Sequence, residues 1–205
     1  MKTLIYYFTG TGNSLAAAKK IAATLVDCTL VPIASMKETP GDIVPDAECV
    51  GIICPVYFTG LPAMVASFAE RLDLARVRYV FSVLTNGGGG GKSALAQLDE
   101  IIKKRSGRGL SAGYSVVMPG NYILMYEPPT GIKQERILTS ADAELRKISE
   151  DIALCKEQPL PRSLLSWLLH TLMYSWFISR VHNKDQNFSV SDECTSCGIC
   201  AAICP

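Results

Sequence analysis

Thr3-Leu-Ile-Tyr-Tyr-Phe-Thr-Gly-Thr-Gly-Asn-Ser14 decides the architecture of this chain. Residues 3–8 are β-branched and aromatic, the composition of a buried strand, and they stop at a loop punctuated by two glycines. A helix is predicted from Ser14 to about Leu25. Within the loop, Thr9, Thr11 and Ser14 supply hydroxyls, while Gly10 and Gly12 let backbone N–H groups turn inward at the start of a helix. Such a nest suits a phosphate. The stretch Gly10-Thr-Gly12-Asn-Ser-Leu15 lacks the third glycine of a dinucleotide fingerprint, so a monophosphate is the better match. A plain glycine turn with a serine cap is the rival reading, and three hydroxyls converging in six residues weigh against it.

The same order of strand, loop and helix recurs outward from this segment. Strands are predicted at 29–33, 49–54, 79–85 and 111–118, with helices at about 62–71, 92–105 and 135–156. The last helix carries Leu138, Ala141, Leu145, Ile148 and Ile152 on one face. Five strands alternating with helices imply an α/β fold, a parallel sheet covered on both faces, whose ligands bind outside the carboxyl ends of the strands. Three loops belong at that edge: residues 9–14, 55–60 and 85–91. Pro159 and Pro161 end the pattern and open a linker.

Pro55-Val56-Tyr57-Phe58-Thr59-Gly60 offers a stacking face for a flat ring through Tyr57 or Phe58, with Gly60 permitting a peptide to reorient beside it. Core packing is the alternative, as it is for Cys54, a strand thiol beside the loop. Asn86-Gly-Gly-Gly-Gly-Gly91-Lys92-Ser93 comes close to a nucleotide-binding Walker loop, but Asn86 stands where that pattern needs glycine, and no strand ends in a magnesium-binding aspartate. Backbone hydrogen bonding to the polar edge of a flat ring is the alternative use, leaving Lys92 as a first-turn residue.

Composition narrows the classes further. With 205 residues, 48% of them hydrophobic, the chain can bury one substantial core plus a small appended module. Its 20 basic and 19 acidic residues sum to +1 without a long single-sign run, so nucleic acid is not an expected partner. The seventeen residues 163–179 contain no Asp, Glu, Lys or Arg. Ser163, Thr171, Ser175 and Ser179, with Ser166 and His170 nearby, give that stretch a polar seam, and docking against the main domain is expected rather than a membrane span. His170 and His182 lack metal-ligand partners at helical spacing and read as structural or solvated.

Four of the eight cysteines fall at the carboxyl end, as Cys194-Thr-Ser-Cys197-Gly-Ile-Cys200-Ala-Ala-Ile-Cys204-Pro205. This spacing is the bacterial ferredoxin run, in which thiolates hold iron. Zinc sites more often pair separated knuckles or add histidines. Disulfides need an oxidising compartment, and no secretory pattern follows Met1, so reduced thiols and a cytoplasmic setting are expected. In two-cluster ferredoxins the fourth cysteine of such a run ligates the other cluster. Only one run is present here, so either the natural chain continues past Pro205 with a second run or the cluster is incomplete. Cys28, Cys49 and Cys155 read as small apolar residues.

Tyr7-Phe-Thr-Gly-Thr-Gly-Asn-Ser14, Pro55-Val-Tyr-Phe-Thr-Gly-Leu-Pro62, Thr85-Asn-Gly-Gly88 and Met118-Pro-Gly-Asn-Tyr122, followed by the cysteine run, give the chain its family likeness. It resembles the flavodoxins, and more closely the fused flavodoxin-ferredoxin proteins of anaerobic bacteria and archaea. The resemblance implies a flavodoxin-like, doubly wound, five-stranded parallel sheet of order 2-1-3-4-5 over residues 1–158. A helical linker over 159–187 and the first part of a ferredoxin module over 188–205 would follow. It implies FMN as cofactor, with Thr9, Gly10, Thr11, Gly12, Asn13 and Ser14 on its phosphate. Pro55, Val56, Tyr57, Phe58, Thr59 and Gly60, with Thr85, Asn86, Gly87 and Gly88, would flank the isoalloxazine, and Asn121 and Tyr122 would approach the same edge. Ser14 replaces the threonine common in flavodoxins and keeps the hydroxyl. Cys194, Cys197, Cys200 and Cys204 would belong to 4Fe-4S chemistry, although the family normally carries two runs. The expected role is electron transfer between flavin, clusters and redox partner proteins; a flavin-dependent reductase of a small substrate such as a quinone, or a binding module without flavin, are the alternatives.

Overall fold

The computed structural model describes residues 1–160, 164–181, 186 and 188–203. Strands β1 (Thr3–Tyr7), β2 (Cys28–Pro32), β3 (Cys49–Pro55), β4 (Tyr79–Asn86) and β5 (Ala112–Val117) form one sheet of order β2-β1-β3-β4-β5. Every pairing is parallel. The sequence explains the placing: β3 and β4 are near-continuous apolar runs and lie buried in the centre, whereas β2 is a half-exposed edge. Gly51 looks out of place in a central strand until its neighbour is considered. It pairs with Phe81 on β4, and a Cβ at Gly51 would stand 2.4 Å from that ring, so the phenyl group fills the missing side chain's space.

Helices α1 (Asn13–Ala22) and α4 (Gly131–Ala153) cover one face of the sheet, burying Ala17, Ala18 and Ile21 with Leu145, Ile148 and Ile152. Helices α2 (Ala63–Arg71) and α3 (Gly91–Ser106) cover the other with Val65, Phe68, Leu95 and Leu98. The architecture is the flavodoxin-like α/β fold expected from the sequence. Boundaries differ locally for physical reasons. Helix α1 ends early because Thr24 and Leu25 donate to Ile21 and Ala22 at 3.1 Å, tightening the last turn to i→i+3 bonds. Helix α4 starts at Gly131 and stops at Ala153, and Cys155 beyond it turns left-handed at φ 50°. A short 3-10 turn at Ile33–Met36 had no clear signal in the sequence.

Beyond the sheet, helices α5 (Leu164–Val181) and α6 (Ile199–Ile203) form the carboxyl region. Helix α5 docks on the main body through His170 and Tyr174, which face the segment 59–61, and Phe177, which stacks on Phe58. The polar seam read from the sequence is therefore not the docking face. Thr171, Ser175 and Ser179 are exposed, and the half-buried stripe has the spacing of His170, Tyr174, Phe177 and Val181, one side of a helix. Ser163, His182 and Cys204 lie outside the described residues. Among the described residues no helix is long and apolar enough to cross a membrane.

Candidate functional site

Strand order reverses between β1 and β3: the chain leaves β1 toward α1 on one face and leaves β3 toward α2 on the other. Loops diverging in this way leave a crevice at the carboxyl edge of the sheet. The crevice is a cavity of about 540 Å³, lined by residues 9–11, 13–14, 55–58, 85–87, 119–122, 125–126, 177 and 181. That volume lies within the usual range of small-molecule sites, roughly 300–1,000 Å³.

One end of the cavity is an array of hydrogen-bond donors. The Gly12 N–H donates to Thr9 Oγ1 at 3.0 Å, and the Asn121 side-chain amide donates to Thr11 Oγ1. Each threonine hydroxyl is thus fixed as an acceptor and keeps its own proton for a ligand. Ser14 Oγ and Thr85 Oγ1 lie 2.7 Å apart and buried; whichever donates to the other, one proton remains to be given. Gly12 takes φ 99°, a left-handed value that favours glycine, and begins α1 without a side-chain cap. The first amides of α1 are consequently free to point at an anion. Asn13 ties this end down by donating to the Pro119 carbonyl at 3.0 Å.

The other end is aromatic and strained. Tyr57 and Gly60 exchange two backbone bonds of 2.9 and 3.0 Å across a tight turn. Its central residues, Phe58 and Thr59, take φ 49° and 76°. Two-residue turns of this kind normally use asparagine and glycine, and a non-glycine residue held left-handed costs about 1–3 kcal/mol. The ring of Phe58 stacks on Phe177 at 4.4 Å and 8°, and meets Tyr122 edge-on at 6.4 Å. Tyr126 closes the floor: a Cβ at Gly120 would stand 2.7 Å from its hydroxyl, which is why glycine follows Pro119.

Among the described residues no Asp, Glu, Lys, Arg or His lines the cavity. Burial pushes the Tyr57 phenol above its usual range, so it stays neutral near pH 7. Cys54 is buried in the core rather than in the cavity wall, and burial raises its thiol far above the usual range, leaving no nucleophile there. The arrangement can bind an anionic group at one end and a flat apolar ring at the other.

Most of the sequence-selected loop residues meet in this cavity. Four do not line it. Gly12 acts behind it as the hinge of the donor loop. Thr59 turns away, its Oγ1 buried without a partner among the described residues. Gly60 faces α5, where a Cβ would stand 2.3 Å from the Tyr174 ring, and Gly88 is exposed at the loop tip. Asn86 lines the cavity with its amide committed elsewhere: Nδ2 donates to Ser115 Oγ at 2.8 Å and to the Val116 carbonyl at 3.2 Å, and Oδ1 accepts from Gly88 N–H at 2.8 Å. In the glycine loop, Lys92 is exposed, as a first-turn residue would be. Pro119, Gly120, Met125, Tyr126, Phe177 and Val181 line the cavity without having been selected. Proximity to Asn121 and Tyr122 could have signalled the first four; nothing local marks the last two.

The described cysteines of the carboxyl run, Cys194, Cys197 and Cys200, are exposed. Among the described residues no three His, Cys, Asp or Glu side chains gather into a group able to hold a metal ion. Cys200 is carried on α6, while Cys197 precedes it in a turn with Ser196 at φ 55° and Gly198 at φ 76°. The Ile199 N–H and, less strongly, the Thr195 hydroxyl hold the Cys197 thiol below its usual range. The donor chemistry suits iron, whereas the three described thiols of the run do not gather into a cluster site.

No family model matches the chain, and no curated relative matches it. Among solved structures it resembles an azoreductase from Bacillus anthracis strain Sterne, with TM-score 0.50 and 11% identity over 74% of this chain and 100% of that one. Other similar structures are a flavoprotein in complex with FMN from Lactobacillus acidophilus NCFM, with TM-score 0.45 and 18% identity over 56% of this chain and 92% of that one, and a flavodoxin from the domain Archaea, with TM-score 0.46 and 15% identity over 75% and 97%. At these identities the likeness is one of fold.

Proposed function

We propose that the chain is an electron-transfer flavoprotein that binds FMN in the cavity at the carboxyl edge of the sheet. The observation that carries this reading is the pairing, in one cavity of about 540 Å³, of a hydroxyl and amide array at a helix start with an aromatic wall. In this reading Thr9, Thr11, Ser14 and Thr85 and the first amides of α1 take the phosphate, which a helix N-terminus favours without any cation. Tyr57, Phe58 and Gly87 border the ring, with Tyr122 and Tyr126 at its edge, and Phe177 and Val181 of α5 exclude water from one side. When bound, FMN supplies redox chemistry that can bridge one-electron and two-electron steps.

The uncharged wall favours a carrier over a reductase of a small substrate. Reducing a quinone also requires protons, and among the described residues the lining holds no Asp, Glu, Lys, Arg or His to relay them. On this reading residues 1–158 supply most of the flavin site, 159–187 connect and add Phe177 and Val181 of α5 to it, and 188–205 belong to the segment that meets redox partners. The cysteine run is proposed as the start of an iron-binding module on its spacing alone. Anaerobic purification followed by titration with FMN, iron and sulfide tests both parts separately. A folded protein that leaves FMN absorbance and fluorescence unchanged overturns the flavin reading. Iron uptake that persists when Cys197 and Cys200 are replaced by serine overturns the cluster reading.

A further inference from the structure

Helix α5 makes contacts that the flavin reading does not use. The Tyr57–Gly60 turn holds two consecutive left-handed residues, neither of them glycine, on only two bonds of its own. A strained turn persists where its surroundings over-determine it. On one side Gly90 presses against it, with Thr59 Cα only 2.8 Å from where a Gly90 Cβ would be. That contact is steric, and α3 adds one bond just past the turn, from the Leu61 N–H to Gln97 Oε1 at 2.9 Å, without reaching the left-handed residues themselves. On the other side lies α5: His170 Nδ1 is 3.1 Å from the Thr59 carbonyl, which can only accept, so the ring nitrogen carries the proton. Tyr174 O–H donates to the Leu61 carbonyl at 2.6 Å, one residue past the turn. The Tyr174 ring fills the space left by the missing Gly60 side chain, and Phe177 stacks on Phe58. The two rings His170 and Tyr174 are themselves stacked at 4.8 Å, so they act as one surface. Thr59 Oγ1 is meanwhile buried with no partner among the described residues, a cost the native contacts must offset.

We propose that α5 is a clamp on the ring side of the pocket, with His170 and Tyr174 as positioning residues that hold the Tyr57–Gly60 turn in its left-handed form. Phe58 is thereby fixed as a wall of the cavity. The linker, and not the sheet alone, then sets how that wall is presented, and a displacement of α5 reaches the cavity through the Thr59 and Leu61 carbonyls. The inference about ligand affinity rests on the FMN reading; the inference about the turn does not.

A double-mutant cycle of Tyr174→Phe with Thr59→Gly tests the clamp. Thr59→Gly lets the turn adopt positive φ without strain and removes the orphaned hydroxyl, so it raises the urea midpoint of the protein without added ligand. Tyr174→Phe alone weakens FMN about five- to tenfold, the effect of one lost hydrogen bond, and opens the turn to limited proteolysis near Phe58. In the Thr59→Gly background the same change weakens FMN by less than about twofold and gives no new cleavage. Equal penalties in both backgrounds overturn the clamp and leave α5 as ordinary packing. His170→Ala repeats the cycle if Tyr174→Phe disturbs the fold. Should the wild-type protein bind no FMN, the flavin reading fails while the urea midpoints and the cleavage pattern still decide the clamp.

Discussion

The two ends of the cavity are built in opposite ways. The donor end comes from one short stretch, residues 9–14, whose glycine takes the left-handed value the turn requires and whose Gly12 N–H fixes the Thr9 hydroxyl, while Thr85 and Asn121 meet the hydroxyls of Ser14 and Thr11. The aromatic end, residues 55–60, puts phenylalanine and threonine where glycine or asparagine belongs and relies on a helix more than a hundred residues away in sequence. The first end carries its backbone conformation locally, in a glycine that takes positive φ without strain. The second has its geometry held from outside, so it can be changed from outside.

Changes at the two ends should accordingly fail in different ways. The largest effect is expected from Thr11→Asp, which places a carboxylate on an exposed residue of the donor end. FMN affinity should fall about 100-fold, about 2.7 kcal/mol, while riboflavin, which has no phosphate, binds as it does to the wild type. Equal losses for both ligands would erase the distinction between the ends. Gly60→Ala acts at the aromatic end, where the new Cβ would stand 2.3 Å from the Tyr174 ring. Overpacking of about 1–3 kcal/mol should lower the urea midpoint, and FMN and riboflavin should weaken together, about tenfold. A loss confined to FMN would contradict the assignment of this loop to the ring.

The smallest effect is a dependence on alkaline pH confined to the aromatic end. Burial raises the Tyr174 phenol above its ordinary value near 10. A group whose pKa is higher folded than unfolded stabilises fully below the unfolded value, and that contribution is lost as pH rises through the folded one. Docking of α5, followed by protease resistance of the turn, should therefore hold between pH 8 and 9 and weaken above about 10. The Tyr174→Phe variant should lack the part of this dependence that comes from the phenol. A decline beginning near neutrality would point to a different group.

These contrasts also explain what could be read from the chain. The strand pattern was legible because β3 and β4 are apolar runs of strand length, and the donor loop because glycine and hydroxyl residues act within six positions of one another. Local signals of that kind survive without knowledge of the rest of the fold. Phe177 and Val181 gave no such signal: their role depends on which face of α5 docks. The serine and threonine repeat drew attention to the exposed face instead. Thr59 and Gly60 were selected for a ligand, yet they serve the α5 contact, since a residue at a loop's turn can face either neighbour and sequence does not say which. The cysteine run was legible as iron-spaced thiols, but spacing states what a segment can bind and leaves open whether its side chains converge.

The central claim is that one cavity binds FMN by both ends at once. Fluorescence titration of FMN and riboflavin against the folded protein under anaerobic conditions tests it most directly. The account predicts saturable quenching of FMN at one equivalent, riboflavin binding that is measurably weaker, and loss of that difference in Thr11→Asp. Unchanged fluorescence of both ligands in the presence of folded protein would contradict it.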